Sequence, residues 1–536
     1  MNPSRYKAIA ILSLLLLIFI LAFSFQGIRG VWEPDEGYYI GSAVSMETQK
    51  NYLVPMLGEE EIFLDKPPMV YWGVLGGLKL FGQSEFAARF FSGLCFFLTI
   101  LVIFALEFSI SGRFNNAFWA TVIYATMVVP FIAANFVTPD TPLTLFATLS
   151  MLCFWQSIRP NGSKRGLWIV LLAMAVGLGF LTKGPAALIP CGAMFVYLMI
   201  QKQIKRFFYN PWIIVAAVAF AAVGLSWYIY ISWKLPDAIA YFFDNMIWGR
   251  LASDKYQRNP GPTGALIYLP VILLGTMPWS ILWYRSNRGL GTFFNTRIWK
   301  EVFSDSSKTL LACWILIPLI VLCMASSKLG LYALPIFPAM ALATVRLLPT
   351  EKQSSAVEES KSPVVLPPKP TFVLAWISVL LFVRIALGMI PTWHDDRRLW
   401  QELKPHLPMG QYEIVTIDKR ASGLWFYGVQ EVENITRRAN PYPTFIPTEN
   451  IESEIIDMGQ DDYPHLFLIQ NNKHLSSITN RLSETNWTIE EIPLKHGRWL
   501  LLCMPNPIPG SDKPLSFSFE ISPQKDMIDC TEEVFR

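Results

Sequence analysis

Apolar residues are distributed along this chain in long unbroken runs, not in the alternating or striped patterns of a soluble fold. About eleven stretches approach the roughly 20 residues that cross a bilayer core. They fall at 8–25, 90–108, 116–134, 141–158, 167–182, 185–200, 212–233, 264–284, 309–325, 331–348 and 371–390, and each predicts a membrane helix. The first has the outline of a signal peptide. Its apolar region is long and no small-x-small cleavage site follows, so it is read as an uncleaved span.

Basic residues orient these spans. Arg5 and Lys7 precede the first; Arg159, Lys164 and Arg165 share one connection; Lys202, Lys205 and Arg206 share another; Arg285, Arg288, Arg297, Lys300 and Lys308 fill a third. Placing them all in the cytoplasm lets the spans alternate consistently. Segments 26–89, 135–140, 183–184, 234–263 and 326–330 then face outward. After residue 390 the pattern changes to short alternating stretches, Tyr412–Ile417, His465–Ile469 and Trp499–Met504, which predict strands. The expected organisation is an all-α polytopic membrane domain over 1–348 with a first outer loop at 26–89. A cytoplasmic Pro-rich linker (349–370) and a last transmembrane helix (371–390) follow. Residues 391–536 form a small C-terminal extracytoplasmic α/β or α+β domain.

Composition agrees with a membrane class. Of 536 residues 52% are hydrophobic and only 16% charged, against about 25% charged in soluble domains. The net charge of +3 carries no basic run that suits nucleic acid. Cys95, Cys153, Cys191, Cys313 and Cys323 lie in apolar runs and read as small core hydrophobes. Cys503 and Cys530 lie in the polar tail, where a disulfide and two free thiols are both open. No internal repeat is evident, and no CxxC or His-rich zinc spacing occurs.

The outward segments concentrate the charged chemistry. Trp32-Glu33-Pro34-Asp35-Glu36-Gly37-Tyr38-Tyr39 places two adjacent carboxylates after a proline at the end of a membrane helix. Such a carboxylate acts as a general base, binds a cation, or simply caps a helix. Asp65-Lys66-Pro67-Pro68 holds a compact cation on a stiff turn, suited to a phosphate or to lipid headgroups. An amphipathic stretch continues from it to Arg89. Asp140 sits between prolines in Thr138-Pro139-Asp140-Thr141-Pro142, as a helix cap or as part of a site. Lys183 in Leu181-Thr182-Lys183-Gly184-Pro185 and Lys328 in Ser326-Ser327-Lys328-Leu329-Gly330-Leu331-Tyr332 each stand beside apolar runs. An unpaired charge at mid-bilayer costs about 2.5–3.5 kcal/mol. Each lysine therefore snorkels to an interface or has an anionic partner. Segment 241–263 mixes aromatics with Arg250, Asp254, Lys255 and Arg258, as an interfacial belt or as an arginine fork for phosphate. All these clusters fall on one side, which fits chemistry on an anionic lipid headgroup.

In their order, WEPDEGYY, DKPP, TPD, LTKGP, FFDNMIWGRLASDKYQRNP and SSKLGLYALP make residues 1–350 resemble the GT-C glycosyltransferases. The similarity is to the lipid A aminoarabinose transferases and the wider protein-mannosyltransferase-like clan (glycosyltransferase families 39 and 83). The resemblance implies a GT-C membrane domain of about 11–13 transmembrane helices and a periplasmic soluble domain. It implies a polyprenyl-phosphate sugar donor, undecaprenyl phosphate in bacteria. The acceptor would be a cell-envelope molecule such as lipid A, or a protein hydroxyl, with inversion at the anomeric carbon on the periplasmic face of the plasma membrane.

By motif match Asp35 and Asp140 are the catalytic acidic residues, with Glu36 and Asp65 supporting them. Lys66, Arg250, Lys183 and Lys328 would contact the donor phosphate. Tyr38, Arg89, Arg258 and Tyr332 are further candidates. The aminoarabinose enzymes carry an arginine where Tyr38 stands, a glutamate where Asp65 stands, and a Glu-His pair where Met246-Ile247 stand. Their Glu and His bind metal in relatives, whereas the first 390 residues here lack histidine. An oxygen-ligated divalent ion at Asp35/Glu36 stays open. Two further readings compete with it: a lipid or sugar transporter, which should place charges at the bilayer midplane in paired halves, and an assembly protein that works through its tail.

Overall fold

The structure, a computed structural model, describes residues 3–58, 61–159, 164–244, 258–285, 296–348, 369–429, 431–437, 445, 449–485 and 487–505. Two compact units divide the chain. One comprises Met1–Gly30, Tyr38–Ile390 and Pro441–Pro447, and the other Val31–Gly37, Pro391–Asn440 and Thr448–Arg536.

The first unit is helical and multi-spanning. Six apolar helical runs reach crossing length: Glu85–Ser111, Asp140–Ile158, Arg165–Ile200, Trp212–Lys234, Ser306–Met324 and Pro370–Met389. Shorter apolar helices cover Ala8–Phe23, Met69–Phe81, Gly261–Gly275 and Gly330–Val345. Leu12, Ile214, Trp233, Leu274 and Phe382 are exposed on the outside of this unit. So many large apolar side chains facing outward suit lipid, not water.

Three of the predicted spans are broken. The run expected at 116–134 stops at Ala125 and restarts as Val128–Ala133. The run at 264–284 is interrupted before Ser280–Arg285, and the run at 331–348 starts as a 3-10 turn, Gly330–Ile336. Pro130, Pro278 and Pro335 account for this, because a proline removes one backbone donor and clashes with the preceding turn. Carbonyls freed in an apolar medium need new donors. The Trp376 indole supplies one to Thr126 O, the carbonyl four residues before Pro130 (2.9 Å), and the Trp314 indole also donates to Pro335 O (3.1 Å). Arg384, inside the last span, is likewise turned to backbone: it donates to the carbonyls of Leu21, Ser24 and Phe131 at 2.9, 3.0 and 2.8 Å. A small antiparallel ladder joins β1 (Met56–Leu57) to β2 (Glu61–Ile62). The linker at 349–368 lies outside the described residues.

The second unit is built on a mixed five-stranded sheet. Its strands are β3 (Glu413–Ile417), β4 (Val432–Ile435), β5 (His465–Ile469), β6 (Trp487–Pro493) and β7 (Trp499–Pro505), in the order β4-β3-β5-β7-β6. β3 is parallel to β4 and β5, while β7 is antiparallel to β5 and β6. Every residue of β3 and of β5 is buried, so helices and loops cover both faces at the centre. On one face Val415, Ile417, Ile435, Phe467, Ile469 and Leu501 pack with Met458, Ile478 and Leu482. Of the expected strands, β3, β5 and β7 lie where the alternation put them. β4 and β6 were not anticipated; β6 alternates half-buried with exposed positions and gave no apolar run. Cys503 is buried on β7, and burial pushes its thiol up to about 12. Cys530 lies outside the described residues.

Candidate active site

In the membrane unit the best-defined charged group is an ion pair. Asp140 opens the helix Asp140–Ile158, and Lys183 closes the helix Arg165–Lys183. Their Oδ1 and Nζ atoms are 2.5 Å apart, with both side chains more than nine-tenths buried. Lys183 Nζ also lies 4.2 Å from the centre of the Tyr332 ring. A desolvated ammonium is thereby held by one carboxylate and one aromatic face. The helix starting at Asp140 packs on the turn Gly330–Ile336 that carries Tyr332.

Lys328 precedes that turn. It is 2% exposed, its backbone N–H donates to Arg258 O (2.8 Å), and its carbonyl accepts from Asn259 Nδ2 (3.0 Å). Among the described residues no carboxylate pairs with it. Lys66 is also buried and is ion-paired to Asp65. Leu64 and Met69, on either side of Lys66, share one apolar cluster with Leu181, two residues before Lys183. The two lysine-bearing segments are therefore neighbours.

The other candidates in this unit have varied settings. Tyr38 stacks on Phe63, with ring centres 5.4 Å apart. Arg89 is fully buried and donates to the carbonyls of Gln26, Arg29 and Gly30 at 2.8, 2.9 and 2.7 Å. Those bonds fix the chain where it leaves the first span and reaches the acidic loop. The Arg258 side chain is exposed. Arg250 and the Met246-Ile247 pair lie outside the described residues.

Asp35 and Glu36 belong to the second unit. Their loop, Val31–Gly37, is stitched to the start of the tail. Glu33 N–H donates to His394 O and Asp396 N–H to Val31 O, both at 2.9 Å, while the Tyr427 hydroxyl accepts from Val31 N–H at 2.9 Å. Asp35 is exposed and begins the helix Asp35–Thr48. Glu36 is fully buried, and its Oε2 accepts from Trp32 N–H (3.1 Å). The first carboxylate is thus presented outward and the second closes its own turn.

Sequence reasoning missed the pair beneath this loop. Glu33 Oε1 accepts from Gly423 N–H (2.8 Å), and its carboxyl faces that of buried Asp396. Burial, then the neighbouring Asp396 charge, raises Glu33 well above the usual carboxylate range. Burial lifts Asp396 to about 7, against the opposing pull of Arg498. Two acids this close share a proton at neutral pH. Two glycines make the fit possible. A Cβ at Gly37 would lie 1.7 Å from Glu33 Oε1, and one at Gly423 2.4 Å from Asp396 Oδ2. The only hint in the sequence was a third acid in WEPDEG; nothing pointed to Asp396, some 360 residues away. Among the described residues no third metal-ligating group joins Asp35 and Glu36; the groups of three lie elsewhere in this unit.

The family described as dolichyl-phosphate-mannose-protein mannosyltransferase matches residues 7–242. The chain is 28% identical over 345 residues to the undecaprenyl phosphate-alpha-4-amino-4-deoxy-L-arabinose arabinosyl transferase of Photorhabdus laumondii, covering 64% of this chain and 60% of that one. It is 31% identical over 332 residues to a second such transferase, from Proteus mirabilis, covering 61% and 58%. The chain thus spans about 60% of the length of the curated relatives it matches. The crystal structure of ArnT from Cupriavidus metallidurans bound to undecaprenyl phosphate superposes with a TM-score of 0.69 at 17% identity, over 94% of this chain and 98% of that one. The chain thus shares the fold of that transferase, a multi-span helical unit with a C-terminal mixed-sheet unit, and its residues 7–242 are similar to the mannosyltransferase family.

Proposed function

We propose that this protein transfers a sugar from a polyprenyl-phosphate carrier, of the undecaprenyl type, to a cell-envelope acceptor such as lipid A. It would do so at the periplasmic face of the bacterial inner membrane. The observation that carries the reading is Lys328, an ammonium buried in a membrane unit with no carboxylate partner among the described residues. A buried cation needs an anion, and a lipid-linked phosphate is the anion that reaches such a place. The relatives named above act on undecaprenyl-phosphate-linked aminoarabinose, which supports a pentose or hexose on the same carrier here.

The chemistry asked of the residues is limited. Asp35, exposed at a helix start, orients the acceptor hydroxyl and takes its proton as the oxygen attacks the anomeric carbon, inverting it. As the sugar–phosphate bond breaks, charge grows on the leaving phosphate. Lys328, Lys183 and Lys66, with Arg250, stabilise that charge. Asp140 holds Lys183 in position, and Tyr332 shields it from lipid. No step is assigned to a metal.

Label transfer from synthetic polyprenyl-phosphate sugars to envelope lipids, using purified protein in nanodiscs, tests this. Asp35→Asn is expected to lower turnover about 10²–10⁴-fold; retained turnover would remove Asp35 from the mechanism. The mannosyltransferase match at 7–242 favours one second reading, a protein hydroxyl as acceptor. Label appearing on protein and not on lipid would select it.

A further inference from the structure

The C-terminal ends of the parallel strands in the tail sheet open into a crevice. From β3 the chain runs out to β4 on one side; from β5 it runs out to β6 and β7 on the other. β3 and β5 are neighbours, so their outgoing connections diverge and leave a gap between them. Open α/β sheets bind ligands at such a point, outside the C-terminal ends of the strands. Here the gap is a cavity of about 180 Å³. Ile417 and Ile469, the last residues of β3 and β5, give it an apolar base together with Ile478 of the helix Leu475–Leu482. Pockets for whole drug-sized ligands begin near about 300 Å³, so this one suits a single small group.

A relay of side chains orders the polar rim. Asp418 follows β3 at φ 62°, a left-handed turn that aspartate tolerates. Its Oδ1 accepts from Arg437 N–H (3.0 Å) and its Oδ2 from Arg437 Nε (2.6 Å), while Arg437 Nη2 is ion-paired to the same carboxylate. Arg437 Nη1 then donates to His474 Nδ1 (2.7 Å). A guanidinium only donates, so the neutral imidazole carries its proton on Nε2. Gln470 Nε2 donates to Lys419 O (3.0 Å) and fastens the loop after β5 to the loop after β3. Asn471 Oδ1 accepts from Lys473 N–H (3.1 Å). Among the described residues His474 Nε2 and Asn471 Nδ2 donate to no protein group.

Lys419 also lines the cavity. Its ammonium lies 4.3 Å from the centre of the Trp393 ring, and among the described residues no carboxylate pairs with it. The one acid of the rim, Asp418, is taken by Arg437, so the rim is cationic and keeps donors to spare. A carboxylate is best recognised by a planar guanidinium fork, and the Arg437 fork is already engaged on Asp418 and His474. A compact ammonium with separate N–H donors suits a tetrahedral phosphate instead. Trp393 also places the crevice. His394, the next residue, has its Nδ1 2.7 Å from Glu33 O, and its carbonyl accepts from Glu33 N–H (2.9 Å). One edge of the crevice is thus tied, through Trp393 and His394, to the loop that presents Asp35.

We propose that this crevice binds a phosphate monoester through Lys419, His474 and Asn471, and that in the transfer reaction it holds the headgroup phosphate of the acceptor; this second part rests on the function proposed above. The tail would then select acceptors that carry a phosphate, while donor binding stays with the lysines of the membrane unit.

The test reads amide hydrogen exchange of segments 418–420 and 470–475 by mass spectrometry, in full-length protein held in nanodiscs. In one arm inorganic phosphate is titrated against chloride at equal ionic strength. In the other the nanodiscs carry phosphatidic acid, a lipid-borne phosphate monoester, in place of phosphatidylglycerol, a diester. Both arms are expected to protect these amides. Lys419→Gln with His474→Gln should weaken half-saturation about tenfold or more, as the loss of charge-assisted hydrogen bonds implies. Both side chains are partly exposed, so the fold should survive their replacement. In the transfer assay the same variant should need about tenfold more phosphorylated acceptor for half-maximal rate, at unchanged donor half-saturation. Protection by inorganic phosphate alone would keep the site and overturn the acceptor assignment. No protection in either arm, or equal protection in the variant, would overturn the proposal whatever the transfer assay shows. Normal phosphate binding without any transfer would instead count against the function proposed above.

Discussion

The Lys183–Asp140 ion pair shows how the membrane unit holds one of its buried charges. Lys183 and Asp140 are both buried, so neither is replaceable alone. Asp140→Asn is expected to cost about 3–5 kcal/mol, because it strands a desolvated ammonium. Asp140→Asn with Lys183→Met should recover most of that loss, since a well-packed apolar pair can match a buried ion pair. Thermal unfolding in nanodiscs distinguishes the two variants. If the lysine serves the donor phosphate, the double variant regains stability without regaining transfer.

The acidic pair of the tail makes a prediction in pH. Asp396, at about 7 in the folded protein, keeps its proton where the unfolded chain has already lost it. Folding then binds protons, so the contribution of this pair is greatest near pH 4 and falls as pH rises to about 7. Protease susceptibility of the tail, wild type minus Asp396→Asn, should therefore rise as pH goes from about 4 to about 7. A difference that shrinks with rising pH would refute the assignment.

At the scale of the element, the loop Val31–Gly37 ends in a helix whose first residue is Asp35. Its position depends on backbone bonds to His394 and Asp396 and on the small size of Gly37 and Gly423. Gly37→Ala would drive a methyl group into the Glu33 carboxyl and break its bond to Gly423. Overpacking of this kind costs about 1–3 kcal/mol. The expected outcome is a fall in turnover at nearly unchanged donor binding, because the substitution moves the loop and leaves the lysines of the other unit alone. Donor affinity measured beside turnover checks it. The helices of the membrane unit show the complementary behaviour: the break at Pro130 is absorbed because the Trp376 indole satisfies the freed Thr126 carbonyl.

For the whole molecule, the chain's order and its compact units do not coincide. Val31–Gly37 is separated from Pro391 by the entire membrane unit, yet it folds with the tail. Ending the chain after Ile390 would remove every partner of Val31 and Glu33 named above. The shortened protein is expected to insert in membranes and bind donor while losing transfer. Retained transfer would show that Asp35 needs no support from the tail. The sheet expected from three alternating stretches has five strands, because β4 and β6 lie half exposed and carry no apolar signature.

The sequence alone determined the membrane class, the positions of the apolar helices, the three central strands and the charged loops that resemble a glycosyltransferase. These follow from local periodicity and composition, which a linear chain displays directly. Only the tertiary structure decided that Lys183 meets Asp140 and Tyr332, and that Glu33 meets Asp396. Each of these joins residues far apart in the chain. Which charge satisfies which is set by helix packing and the space two glycines leave, neither of which is a property of a local stretch of sequence.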